Sequence, residues 1–315
     1  MWVVAFHPDG KHVLGGNGDG IQRWRVTDGQ EVGKQMSVNV YAISASKDHK
    51  WIVCGTSGKG ARVWDGEMHK EAIHVEGETT VDAVDVSPDS TRFATGNRKW
   101  EASIWSISTG RRLVGPLKHD NWVSGVRFSP SGQDIATACD QNIQIFDSQT
   151  GDKLVTIDTH TPALGATTPI AWLSDGQQIF AGSRDKKFRL FDASTGTQLI
   201  ESQILHGSVH SIALASNGKF VATLADRSIT FLDTSTLVRI GPVIEDDKRI
   251  RSVAISLDGT HLATGRGDGK IVIRDLRKIL PELYGPVSVS IFALPCFISQ
   301  LDKICGTYSR AGSTR

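Results

Sequence analysis

The chain of 315 residues is 39% hydrophobic and 22% charged, a globular composition that supports a sizeable core and excludes disorder as the starting assumption. Its 35 basic and 34 acidic side chains nearly cancel, so no global field draws it to nucleic acid or to an anionic membrane, and any charge-driven binding must come from local patches. Thirty-two glycines, eight tryptophans and ten prolines predict many tight turns between strands that carry aromatic side chains.

From the N-terminus, Met1 to Gly10 lacks the basic start and apolar run of a signal peptide, and no stretch of the chain reaches the roughly 18 apolar residues of a membrane span. The first unit carries the hairpin turn His7-Pro8-Asp9-Gly10 and ends on Trp24-Arg25. Between them, Gly15-Gly16-Asn17-Gly18-Asp19-Gly20 has the look of a phosphate-binding loop, but a strand follows where such a loop needs a helix N-terminus. The second unit ends on Trp64-Asp65 and the third, opened by Ser87-Pro88-Asp89-Ser90, on Trp105-Ser106. The fourth runs from His119 through Ser129-Pro130-Ser131-Gly132 to Phe146-Asp147. The fifth and sixth end on Phe191-Asp192 and Leu232-Asp233, and the seventh, through Leu257-Asp258-Gly259, on Arg274-Asp275. Steps between these terminal pairs are 40, 41, 41, 45, 41 and 42 residues. Each period has room for about four short strands, the content of one propeller blade. Alternating pairs such as Ile143/Ile145, Phe188/Leu190, Ile229/Phe231 and Ile271/Ile273 give every sheet two apolar faces, which a closed ring hides and which make a sandwich the secondary alternative. After Arg277 the pattern is lost; Val287 to Phe292 alternates as a missing outer strand would.

Seven collinear matches resemble the WD-repeat β-propeller family, and the resemblance covers residues 1 to about 276. It implies an all-β, seven-bladed propeller of four-stranded antiparallel blades over residues 1–294, with the last outer strand drawn from 287–294 and no fold assignable to 295–315. It also implies a tetrad joining a turn Asp, a His, a Ser or Thr and the terminal Trp. Asp140, Asp185, Asp226 and Asp268 occupy the Asp position, yet those units end on Phe, Leu or Arg, while the units with Trp64 and Trp105 lack the Asp. No unit completes the tetrad, so rigidity is expected to come from packing. Arg23 and Arg274 stand at apolar or aromatic positions of the first and last units, which predicts a weak seam where the ring closes. Gly110 to Leu117 and Ile240 to Val243 further resemble repeats of fungal NTPase-type immune and incompatibility receptors, where a propeller would sense a ligand for a larger switch.

No nucleophile elbow, helix-borne histidine pair or carboxylate cluster is apparent, so catalysis, a cofactor and a metal are not expected. The ten histidines are scattered, and His119 and His206 read as loop-to-strand hydrogen bonders. Arg266-Gly267-Asp268 spells an adhesion tripeptide by coincidence with a repeat turn. Cys54, Cys139, Cys296 and Cys305 form no C-x-x-C pair, which suits reduced thiols in the cytoplasm, with the nucleus as second address. The expected function is a monomeric, non-catalytic scaffold for proteins or peptides, including acidic or phosphorylated segments. Ring geometry would gather Lys59, Arg98, Lys99, Trp100, Trp122, Arg184, Lys186, Lys187, Arg227 and Arg266 on one face as a basic rim with aromatic anchors.

Overall fold

A computed structural model describes residues 3–67, 70–139, 142–159, 169–183, 185–205 and 207–284. These form seven antiparallel sheets in chain order, six of four strands and a last one of three. Blade 1 comprises β1 Val3–Phe6, β2 His12–Gly16, β3 Ile21–Arg25 and β4 Glu31–Met36; blade 2 comprises β5 Val40–Ala45, β6 Trp51–Thr56, β7 Ala61–Asp65 and β8 Glu71–Val75. Blade 3 holds β9 Val81–Val86, β10 Arg92–Asn97, β11 Glu101–Ser106 and β12 Arg112–Lys118; blade 4 holds β13 Gly125–Phe128, β14 Asp134–Ala138, β15 Asn142–Asp147 and β16 Lys153–Asp158. Blade 5 is β17 Ile170–Trp172, β18 Gln178–Gly182, β19 Phe188–Asp192 and β20 Gln198–Glu201; blade 6 is β21 Ser211–Leu214, β22 Phe220–Ala225, β23 Ser228–Asp233 and β24 Arg239–Glu245. Blade 7 has β25 Ile250–Ile255, β26 His261–Arg266 and β27 Ile271–Asp275, after which the chain turns into the short helix α1 Leu276–Ile279. The proposed outer strand at 287–294 and the tail 295–315 lie outside the described residues.

Local chemistry explains the repetition. Where the terminal pair ends in aspartate, that side chain caps the turn that follows: Asp147 Oδ1 accepts the N–H groups of Gln149 and Thr150 at 2.8 Å, and Asp192 and Asp233 do the same for Ser194 and Thr195, and Ser235 and Thr236. Those bonds hold Asp147 below the usual carboxylate range, and the Ser194 hydroxyl, which also donates to Asp192, is the largest pull on that carboxylate. The third and fourth strands shift register in blades 1 to 6, beside the terminal aromatic residue in blades 2 to 5 and further upstream, between Ile21 and Arg23 and between Ile229 and Phe231, in blades 1 and 6.

Blades are joined by apolar clusters, one per junction: blades 1 and 2, 2 and 3, 3 and 4, 4 and 5, 5 and 6, and 6 and 7. Among the described residues no such cluster spans blades 7 and 1. There the inner strands meet through the Val4 N–H, which donates to Ser252 Oγ at 3.3 Å. Similar bonds stitch Val86 N to Ser44 Oγ, Phe128 N to Asp85 Oδ2 and Val253 N to Ser211 Oγ. Leu276 and Leu280 are fully buried against blades 6 and 7, so α1 closes that junction rather than the seam.

The tetrad survives in pieces. His119 Nε2 lies 2.7 Å from Thr137 Oγ1 in blade 4, and Trp105 Nε1 donates to Thr95 Oγ1 at 2.9 Å in blade 3. In blade 7, Arg274 Nη1 donates to Thr264 Oγ1 at 3.0 Å, so the guanidinium takes over the indole's role as donor. Arg23 Nη1 donates to Gly66 O of blade 2 at 3.1 Å. His206 and Asp140 lie outside the described residues. Asp185 and Asp268 instead accept the N–H groups of Lys187 and Lys270 within their own turns.

Candidate functional site

One face of the ring carries the turns between second and third strands together with the linkers between blades. At the turn after β10, Asn97 Oδ1 accepts the N–H groups of Lys99 and Glu101, which bends the chain so that Trp100 takes a φ of +65°. Blade 7 places Gly269, φ +88°, in the corresponding turn. Glycine occupies such a conformation without steric cost, whereas a tryptophan there is strained by about 1 kcal/mol. The indole of Trp100 is nonetheless 49% exposed, so burial does not compensate it.

Arg98 is the fixed point of this face. Its Nε and Nη2 donate to the two carboxylate oxygens of Asp82 at 2.8 and 3.0 Å. Its guanidinium lies 5.4 Å from the ring centre of Tyr41 and 5.1 Å from that of Trp122. Asp82, on the inner strand β9, has a side chain only 1% exposed; burial pushes its carboxyl up, and the hydrogen bond and charge of Arg98 oppose the shift. Trp122, 43% exposed, thus lies against a cation that residues of blades 2 and 3 hold in place.

Four of the eight expected rim cations, Arg98 among them, are compensated within the chain. Lys99 pairs with Glu78, Lys187 with Glu201, and Arg266 with Asp246, Asp247 and Asp268. Lys59, Lys186 and Arg227 are exposed and enter no ion pair among the described residues, while Arg184 lies outside them. Lys186 shares the left-handed backbone of Trp100, with φ +67°. Asp226 is exposed at φ +52°, near His210 at 3.4 Å and Arg249 at 3.8 Å.

The channel mouth was not anticipated. A cavity of about 140 Å³ opens along the axis, lined by Tyr41, Asp82, Ser124, Pro169, His210 and Arg251 among others. These six residues recur at steps of 41 to 45, so the repeat period itself, applied to the inner strands, was the signal that could have found them. Ile204, 71% exposed in the linker before blade 6, is a further apolar residue on the same side. On the opposite face the axis widens to about 740 Å³, bordered by Lys47, Asp85, Arg127 and the turn prolines Pro8, Pro88 and Pro130.

The histidines are not all scattered either. The turn after β1 gathers His7, Asp9 and His12, a spacing outside the helix-borne patterns. Desolvation raises the Asp9 carboxyl, but its bonds to His12 and to the Lys11 N–H outweigh this and leave it low. Burial pulls His7 below its ordinary value against the attraction of Asp9.

Among the described residues no helix is long and apolar enough to cross a membrane. The family model described as IFT122 first beta-propeller matches residues 1–275. The chain is 26% identical to the small ribosomal subunit protein RACK1 of Caenorhabditis elegans over 165 residues, half of each protein. It is 27% identical to autophagy-related protein 16 of Arabidopsis thaliana over 252 residues, 75% of this chain and 48% of that one. It is 20% identical to an intraflagellar transport protein 122 homolog of Xenopus tropicalis over 281 residues, 88% of this chain and 23% of that one. The chain therefore spans half or less of the length of these relatives.

Proposed function

The chain belongs to the WD-repeat β-propeller family represented by the first propeller of IFT122, and from that premise we propose that it is a non-catalytic, monomeric scaffold that captures a protein partner on the face carrying Trp100. The observation that carries this reading is Trp100 itself. A half-exposed indole held in a left-handed turn is not accounted for by packing, and a rigid aromatic ring loses little conformational freedom on binding. Arg98 and Trp122 extend the anchor toward the channel, and Ile204 adds apolar surface across it.

The partner segment is acidic or phosphorylated. Lys59, Lys186, Arg227 and Arg251 are exposed cations that enter no ion pair among the described residues; the first three lie on turns of this face and Arg251 lines the channel mouth. Charges in such places alter association rate and salt dependence more than final affinity. Relatives named as a ribosomal subunit protein and an autophagy-related protein support a cytoplasmic address.

Trp100→Gly tests the reading, because it installs the residue that the turn geometry prefers. Its unfolding midpoint is expected to equal or exceed that of the parent, while pull-down of the partner from lysate falls by the equivalent of about 2 kcal/mol. Lys186→Glu with Arg227→Glu should give a smaller loss that grows at low salt. Full retention of partners by Trp100→Gly, or its unfolding, would make Trp100 a packing residue.

A further inference from the structure

The first hairpin turns of the seven blades act as controls for one another. In blades 2, 3, 4 and 7 the turn opens on Ser46, Ser87, Ser129 or Ser256, whose Oγ accepts the N–H five residues on at 2.9–3.1 Å. In blades 2, 3 and 7 that hydroxyl also donates to the turn aspartate, Asp48, Asp89 or Asp258. Blade 1 keeps the aspartate and puts an imidazole at both ends, His7 in place of the serine and His12 five residues on.

The geometry converges on one carboxylate oxygen. Asp9 Oδ1 accepts the N–H groups of Lys11 at 2.8 Å and His12 at 3.1 Å, which fixes the carboxylate. Oδ2 then faces His12 Nδ1 at 2.6 Å and His7 Nδ1 at 3.1 Å. His7, only 4% exposed, suits neither neutral tautomer. The Asp9 N–H points at Nδ1 from 3.4 Å and asks for a lone pair there, which would oppose the carboxylate oxygen. A proton on Nδ1 instead leaves the Nε2 lone pair buried without a partner. A cation between Nδ1 and Oδ2 removes the opposition of the two acceptors, with Nε2 then carrying the buried N–H.

We propose that His7, Asp9 and His12 bind one divalent transition-metal ion of the zinc class, seated among His7 Nδ1, Asp9 Oδ2 and His12 Nδ1 with a fourth position toward solvent. The three donor atoms lie within 4.8 Å of one another. Zinc bonds of about 2.0–2.2 Å at tetrahedral angles set ligand atoms roughly 3.4 Å apart, close to the His7–Asp9 spacing. His12, whose side chain is 18% exposed, must swing away from Asp9 by less than the width of an atom. Two imidazole nitrogens with one carboxylate favour zinc, nickel or copper over magnesium or calcium. The ion would tie the turn to the start of β2 in the blade that lacks an apolar cluster at the seam.

The untagged full chain, stripped with a chelator, is titrated with zinc alone by calorimetry. One ion per chain is expected. His7→Ser, which restores the serine of the sister turns, and His12→Ala should each weaken binding about a hundredfold or more, since changes behind the ligands alone cost about 10–100-fold. Zinc should raise the unfolding midpoint of the parent and leave that of His7→Ser unchanged, with circular dichroism confirming that both fold. No uptake by the parent would overturn the assignment, as would parent-like affinity in both variants, which would place the ion elsewhere.

Discussion

At the junction of blades 3 and 4, eleven buried apolar residues, among them Ile104, Val123, Phe128, Ile135 and Phe146, interlock, and Asp85 ties the two inner strands by accepting the Phe128 N–H at 2.9 Å. At the seam of blades 7 and 1, Ser252 supplies the matching bond to Val4, at 3.3 Å, but no apolar cluster backs it and blade 7 has three strands among the described residues. The inner hydrogen bond is thus common to both joints, and burial distinguishes them. A blade hides its two faces only against two neighbours; the apolar clusters of blades 7 and 1 lie on one side each, and at the seam blade 1 buries Val4 and Val13 outside any cluster. The candidate docking anchors Trp100, Arg98 and Trp122 sit on the well-packed side, where a rigid platform keeps the entropy cost of capture low.

Substitutions at the two joints should separate them. Ile135→Ala, fully buried in the tight junction, is expected to cost about 2–5 kcal/mol in denaturant unfolding, through lost transfer energy and the cavity left behind. Next in size is Arg98→Ala, which strips the buried Asp82 of its partner. Because Arg98 is a third exposed, the expected loss is about 1.5–3 kcal/mol, below that for a wholly buried pair. A loss under about 0.5 kcal/mol would make Arg98 an ordinary rim charge. Ser252→Ala removes one hydrogen bond from the joint that no apolar cluster spans among the described residues and should cost about 0.5–1.5 kcal/mol.

The smallest effect concerns pH. Asp275, which caps α1 and pairs with Arg277, has its carboxyl pulled down to about 2, chiefly by the hydrogen bond from the Arg277 side chain. A folded pKa below the unfolded value of about 3.9 means that this stabilisation is complete above the unfolded value and is lost as pH falls toward the folded one. The stability gap between the parent and Asp275→Asn should therefore narrow between about pH 5 and pH 2. A gap that stays constant over that window would show that the carboxylate's charge contributes nothing there.

The ring was legible because its signals are local. Turn residues, alternation and terminal pairs at steps of 40 to 45 residues fix blade number and order without any knowledge of contacts. Arg23 and Arg274 led the sequence to predict a weak seam, but their bonding was not readable. That Arg274 would donate to Thr264 as Trp105 does to Thr95 depends on a guanidinium reaching the place of an indole. Of the candidate face, only single features were readable. Trp100 stood out because its turn favours a small residue, and its exposure agrees with that. The neighbouring cations were misleading, since Arg98 and Lys99 find Asp82 and Glu78 across 16 and 21 residues, pairings that spacing does not announce. His7, Asp9 and His12 were overlooked for a different reason: a hairpin turn converges side chains that helix spacing rules would keep apart.

Native-state hydrogen exchange tests the contrast between the two joints most directly, because it reads the opening free energy of each strand within the intact ring. The amides of β1 and of β25 to β27 should exchange through a lower-energy opening than those of β10, β11, β14 and β15. Equal protection around the whole ring, or an opening that begins between blades 3 and 4, would contradict the account.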